Sequence, residues 1–166
     1  MPMQNVCGKE NNMKKIVFYI LIFALLISLC SCGVNGAPAK EVELQNLYDS
    51  FTPSLPDMLV LDDSMRLNLM GIKDEYCDQV ICSVVGFSLQ ADEIWLIEAA
   101  DEDSLATVKT LAENRLRAKM EEASFYSPDQ YAICEDGRII TDGLYLAFIV
   151  SPEADIFEAA FKEAMK

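Results

Sequence analysis

Histidine is absent from all 166 residues. That absence removes Ser-His-Asp and Cys-His catalysis, histidine metal ligands and histidine pH switching. Positive charge is scarce as well, with 13 Lys+Arg against 27 Asp+Glu. Phosphate recognition needs clustered Lys and Arg, so the composition argues against nucleic acid as a partner. It also argues against a domain lying flat on an anionic bilayer. Ser104, Ser124 and Ser127 have no GxSxG context, and a serine nucleophile without that elbow or a histidine base is not activated. Cysteines are few beyond residue 32: only Cys77, Cys82 and Cys134, with no CxxC pair. An odd set makes a poor disulfide framework and a weak zinc signal. Buried small hydrophobes are the expectation, with Cys77 the most exposed of the three thiols and no structural disulfide. Asp62-Asp63 and Asp101-Glu102-Asp103 lack the order of an EF-hand loop, and acidic residues at helix starts are favoured by the helix dipole alone. No metal, cofactor or catalytic residue is therefore expected.

One long apolar run is present. Met13-Lys14-Lys15 supplies a positive segment, Ile16 to Leu29 is uncharged and apolar, and Leu29-Cys30-Ser31-Cys32 follows. This is the pattern of an export signal ending in a lipid-attachment cysteine. The run is short of the roughly 20 apolar residues that a membrane span needs. Bulky Leu29 disfavours Cys30, so Cys32 is the expected lipid-attachment residue. The reading divides the chain into 1–31, a signal peptide with a polar N-terminal extension; 32–40, the lipidated cysteine and a flexible tether through Gly33-Val34-Asn35-Gly36-Ala37-Pro38; and 41–166, a single domain. Cleavage before Cys32 leaves 10 Lys+Arg and 26 Asp+Glu, the balance of a soluble, solvated surface.

Along the domain, Val42, Leu44, Leu47, Tyr48 and Phe51 give one apolar helix side, ended by Pro53. Leu55 to Leu61, broken by Pro56, reads as a loop. Asp62 and Asp63 cap a short helix, Ser64 to Met70, closed by Gly71. Tyr76 to Leu89 reads as a strand with a bulge at Gly86, Gln90-Ala91-Asp92 as a turn, and Glu93 to Ala100 as a second strand. A long helix from Ser104 to Ala123 follows. Tyr131 to Cys134 begins a third strand. Asp142-Gly143 is a hairpin turn before Leu144 to Val150, and Ser151-Pro152-Glu153 opens a last helix with Ile156, Phe157, Ala160 and Ala164 on its buried face. The resulting expectation is an α+β fold. It has a mostly antiparallel four-stranded sheet in ββαββα order, helices packed on one face, and one or two helices before it. Trp95 and Tyr145 are expected in the core. The Phe125-Tyr126 and Tyr131 cluster is the place where a partner groove would lie, with packing of the helix end against the sheet as the favoured alternative.

Several segments carry a family resemblance in order. They are Met70-Gly71-Ile72-Lys73-Asp74; Ala91-Asp92-Glu93-Ile94; Arg115 and Arg117; Phe125 through Tyr131; and Asp142-Gly143-Leu144-Tyr145 leading to Val150-Ser151-Pro152. The chain resembles the bacterial lipoproteins that share the DUF4358 domain, although that family often has Tyr where this chain has Met70. The resemblance implies a cell-surface lipoprotein and brings no activity and no catalytic residues. The functional expectation is a lipid-anchored protein on the extracytoplasmic face of the bacterial cell membrane. It would act as a non-catalytic binding or accessory module of the cell envelope, with an envelope protein as a possible partner. A small solute-binding domain or a carboxylate-dependent hydrolase is the competing reading.

Overall fold

Strand β3, Glu93–Ala99, sets the architecture. Ile94, Trp95, Leu96 and Ile97 are consecutive, and all four are fully buried. Successive strand side chains point to opposite faces, so such a run must be covered on both. The computed structural model describes residues 42–86 and 90–166, which belong to a compact unit spanning Lys40–Lys166.

The sheet has five strands, all paired antiparallel. In chain order they are β1 (Met58–Val60), β2 (Cys77–Val85), β3, β4 (Arg138–Asp142) and β5 (Tyr145–Val150). In space the order is β1-β2-β3-β5-β4, so β3 and β5 occupy interior positions. Strand β5 is buried at every residue. Among the described residues five α-helices accompany the sheet: α1 (Leu44–Phe51), α2 (Asp63–Met70), α3 (Glu102–Ser124), α4 (Pro128–Glu135) and α5 (Ala154–Ala164).

Alternation along the strands sorts the core into two layers. Ile94 and Leu96 of β3, with Tyr145, Ala147 and Ile149 of β5, meet α1 and α5. Trp95 and Ile97, with Leu146, Phe148 and Val150, meet residues of α2, α3 and α4. Phe51 stacks on Phe157 with ring centroids 4.5 Å apart in the first layer, and Trp95 lies 4.8 Å from Phe148 in the second. Helices therefore cover both faces of the sheet, which corrects the expectation of one face. The physical cause is the unbroken apolar character of β3 and β5.

Other differences have local causes. The sheet has five strands because Met58–Val60, read as a loop on account of Pro56, pairs as an edge strand with Ser83–Val85. Proline before an edge strand costs no ladder hydrogen bond. Tyr131–Cys134 is helical: Ser127 caps α4, its hydroxyl accepting from Gln130 N, and Pro128 occupies the first turn. The strand begins only at Arg138. The register shift in β2 falls between Cys77 and Gln79, not at Gly86. On α5, Ile156 is exposed, and Phe161 joins Phe157 inside. The short helix is capped by Asp62, which accepts from Met65 N at 2.8 Å, and closed by Gly71 at φ +75°, but Asp63 is its first helical residue and not a cap. Gly143 turns the β4–β5 hairpin at φ +55°.

The chain enters the sheet at one end. Val42 N donates to Tyr145 Oη at 3.2 Å, and Leu44 N donates to Gln79 Oε1 at 3.1 Å. Gln79 Nε2 and Tyr145 Oη both donate to Glu98, at 2.6 and 2.8 Å. These contacts pin the N-terminal edge of the domain where β2 and β5 begin and β3 ends.

Candidate functional site

The opposite end of the sheet holds a buried carboxylate. Glu93 is the first residue of β3 and is fully buried. Strand alternation puts it on the same face as Trp95, whose Nε1 donates to Glu93 Oε1 at 2.8 Å. Helix α3 crosses above. Val108 and Ala112 are its buried contacts with the sheet layer. One turn further, Arg115 and Lys119 lie four residues apart and therefore on one helix face. Arg115 Nε donates to both Glu93 oxygens at 2.9 and 3.0 Å, and Nη2 to Oε2 at 2.8 Å. Lys119 Nζ reaches Oε2 at 2.8 Å. One carboxylate thus holds two cations. Burial alone would lower the Arg115 guanidinium, but the Glu93 hydrogen bonds and charge outweigh it and raise it.

These groups floor a cavity of about 220 Å³. Leu69 of α2, Val84 and Val85 of β2, and Tyr126 at the α3–α4 corner form its apolar side. Gln90, Asp92, Glu122 and Gln130 add polar lining. Gln130 Oε1 accepts from Ala91 N at 2.6 Å, fixing the chain where it leads into β3. Asp92 is buried; burial raises its carboxyl above the ordinary value, opposed by a hydrogen bond with Ser151 and by the Lys119 charge. Asp92 therefore binds its proton more tightly when folded, and stability falls as pH rises from the ordinary carboxylate value through the raised one. Asp92→Asn, which keeps a partner for Ser151, is expected to stabilise the protein at about pH 7 and to be neutral near pH 3. Urea unfolding at both pH values measures this, and destabilisation at neutral pH would reverse the assignment.

The residues singled out in the sequence distribute differently. Asp101 and Asp62 are helix caps, Asp101 accepting from Ser104 N at 2.7 Å, a bond that lowers its carboxyl. Among the described residues no group of three or more Cys, Asp or Glu is placed to hold a metal. Trp95 and Tyr145 are buried as expected. Phe125 and Tyr126 are exposed, at 82% and 50%, and do not pack the helix end against the sheet, whereas half-buried Tyr131 packs against the core layer of Trp95. Cys82 and Cys134 are buried and Cys77 half-buried, all three free. Burial pushes the Cys77 thiol up to about 11, which leaves little thiolate at neutral pH. Cys32 and the signal segment lie outside the described residues.

Sequence reasoning did not find the ion triad. Its signal was there: a carboxylate in phase with Trp95 at the head of an all-buried strand, and two cations four apart on an otherwise apolar helix stripe. Of the two resembling arginines, Arg115 enters the triad, whereas Arg117 is exposed and donates to Asn114 Oδ1 at 3.3 Å.

No helix among the described residues is long and apolar enough to cross a membrane. Neither the curated proteins nor the solved structures gave a match. A family model does match, a domain of unknown function called DUF4358, over residues 53–151. That span runs from the end of α1 to the end of β5 and holds Glu93, Arg115 and Lys119. Covering more than half of the chain, it places this protein in the DUF4358 family.

Proposed function

We infer that this protein is a lipid-anchored, extracytoplasmic binding module of the cell envelope, attached through Cys32, and that its ligand site is the cleft over Glu93, Arg115 and Lys119. The observation that carries the site is the buried triad at the floor of an open cavity. Buried ion pairs contribute little net stability over apolar packing, so a fold has small structural reason to place one beneath a cavity. Concave sites with a few converging polar groups and apolar walls are the usual form of a small-ligand pocket.

The position in the fold supports the same reading. The chain enters the domain at Val42, and Glu98 marks that end of β3. Glu93 lies five residues away along the strand, roughly 17 Å at the usual rise. Val42, the first described residue, therefore lies at the end of the sheet remote from the cleft. The competing hydrolase would need two carboxylates in separate roles. Glu93 is committed to two cations and the Trp95 indole, so a hydrolase at this cleft would have to work through Asp92 and Glu122.

Cys32→Ala in the full-length chain is expected to block acylation and leave unprocessed precursor, as globomycin would. Normal acylation and processing of that variant would overturn the anchor. For the site, a fragment panel on isotopically labelled protein should perturb the amides of Asp92, Glu93 and Tyr126. Perturbations confined elsewhere, or substrate turnover lost on replacing Asp92, would reject the binding reading.

A further inference from the structure

We propose that the cleft takes a terminal carboxylate carried on an apolar, residue-sized body, the chemistry shared by a peptide C terminus and a short free acid. The inference rests on the cleft being the ligand site. Arginine has five N–H donors and lysine three. Glu93 engages only Nε and Nη2 of Arg115, and Nζ of Lys119 through one contact. Arg115 keeps 31% of its side chain exposed and Lys119 keeps 13%, whereas Glu93 has none. The carboxylate is fully buried, and both cations line the cavity with it while keeping part of their surface exposed.

The surroundings select the charge. Asp92 lies near Lys119, and Glu122 lies near Arg115 at the exposed rim. Together with Glu93 these carboxylates offset both cations, so a dianion such as phosphate is opposed, and a monoanion would be held by the hydrogen-bond donors Glu93 leaves on Arg115 and Lys119 rather than by net charge. The walls select the body. Leu69 is 58% exposed and Tyr126 50%, both bordering the cavity, with Val84 and Val85 between β2 and the opening. A volume of about 220 Å³ holds about seven waters at about 30 Å³ each, the size of one apolar residue with its terminus.

The test uses the full-length chain in detergent micelles and calorimetric titration. The probes are acetyl-Ala-Ala-Leu as free acid, the same peptide as C-terminal amide, hexanoate and inorganic phosphate. The free acid is expected to saturate one site and to bind at least about tenfold more tightly than the amide, the scale of one charge-assisted hydrogen-bond set. Lys119→Gln should narrow the acid-to-amide ratio by a similar factor. Leu69→Ser, on the exposed side of α2 and away from the triad, should weaken the peptide acid and keep the inference testable if Lys119→Gln fails to fold. Hexanoate binding without peptide binding assigns a free acid as the source and upholds the carboxylate chemistry. Equal affinity for acid and amide, phosphate tighter than either acid, or no binding by any probe would overturn it. A neutral ligand perturbing the cleft overturns this inference alone and leaves the binding module standing.

Discussion

Glu93→Leu is expected to destabilise the folded domain by about 3–5 kcal/mol, the cost of leaving buried charge without its partner. The substitution strips Lys119 Nζ of its 2.8 Å acceptor and leaves the Trp95 indole N–H without one. Lys119, only 13% exposed, can reach water only through the cleft, while Arg115, at 31%, can turn outward. Most of the loss should therefore come from Lys119 and Trp95. Chemical unfolding of the protein, followed through Trp95, the single tryptophan, measures it. A triple change, Glu93→Leu with Arg115→Leu and Lys119→Met, should recover much of the stability, since apolar replacement of a whole buried ion cluster is often neutral. A Glu93→Leu cost below about 1 kcal/mol, the range of an exposed ion pair, would show that the triad is solvated and not buried.

Phe157→Ala is expected to cost about 3–5 kcal/mol, as for other buried aromatic truncations. Phe157 is fully buried on α5 and stacks on Phe51 of α1. Both helices lie outside the residues 53–151 matched by the family model, yet together they cover one face of the sheet. Ile156→Ala beside it is the control. That side chain is 57% exposed, and its loss should stay within about 0.5 kcal/mol. Equal effects from the two variants would mean that α5 is not seated on the sheet as described.

The same pair of residues shows how far the sequence can be read. Apolar spacing placed a helix at the C terminus and put both Ile156 and Phe157 on its inner face. Which of two neighbours faces inward depends on how the helix is rotated against α1 and the sheet, and periodicity leaves about one residue of freedom. Capping chemistry was legible at Asp62 and Gly71, because those signals are local and a carboxylate or left-handed glycine acts within a few residues; Asp101 was legible only as part of an acidic helix start, and the structure makes it the cap. The Asp142-Gly143 hairpin was legible for the same reason.

The sequence by itself determined the class of fold, the interior position of Trp95 and Tyr145, the burial of Cys82 and Cys134, and the family. Only the tertiary structure decided that helices lie on both faces, that Met58–Val60 pairs as an edge strand, and that Glu93 meets Arg115 and Lys119. Those contacts join residues 22 and 26 apart along the chain, across a strand-to-helix crossing. Strand and helix periods say which face each residue occupies on its own element. The meeting of the two faces is set by how α3 packs over the sheet, where small Ala112 and Val108 let it sit close, and that is an outcome of the whole core rather than of any local pattern.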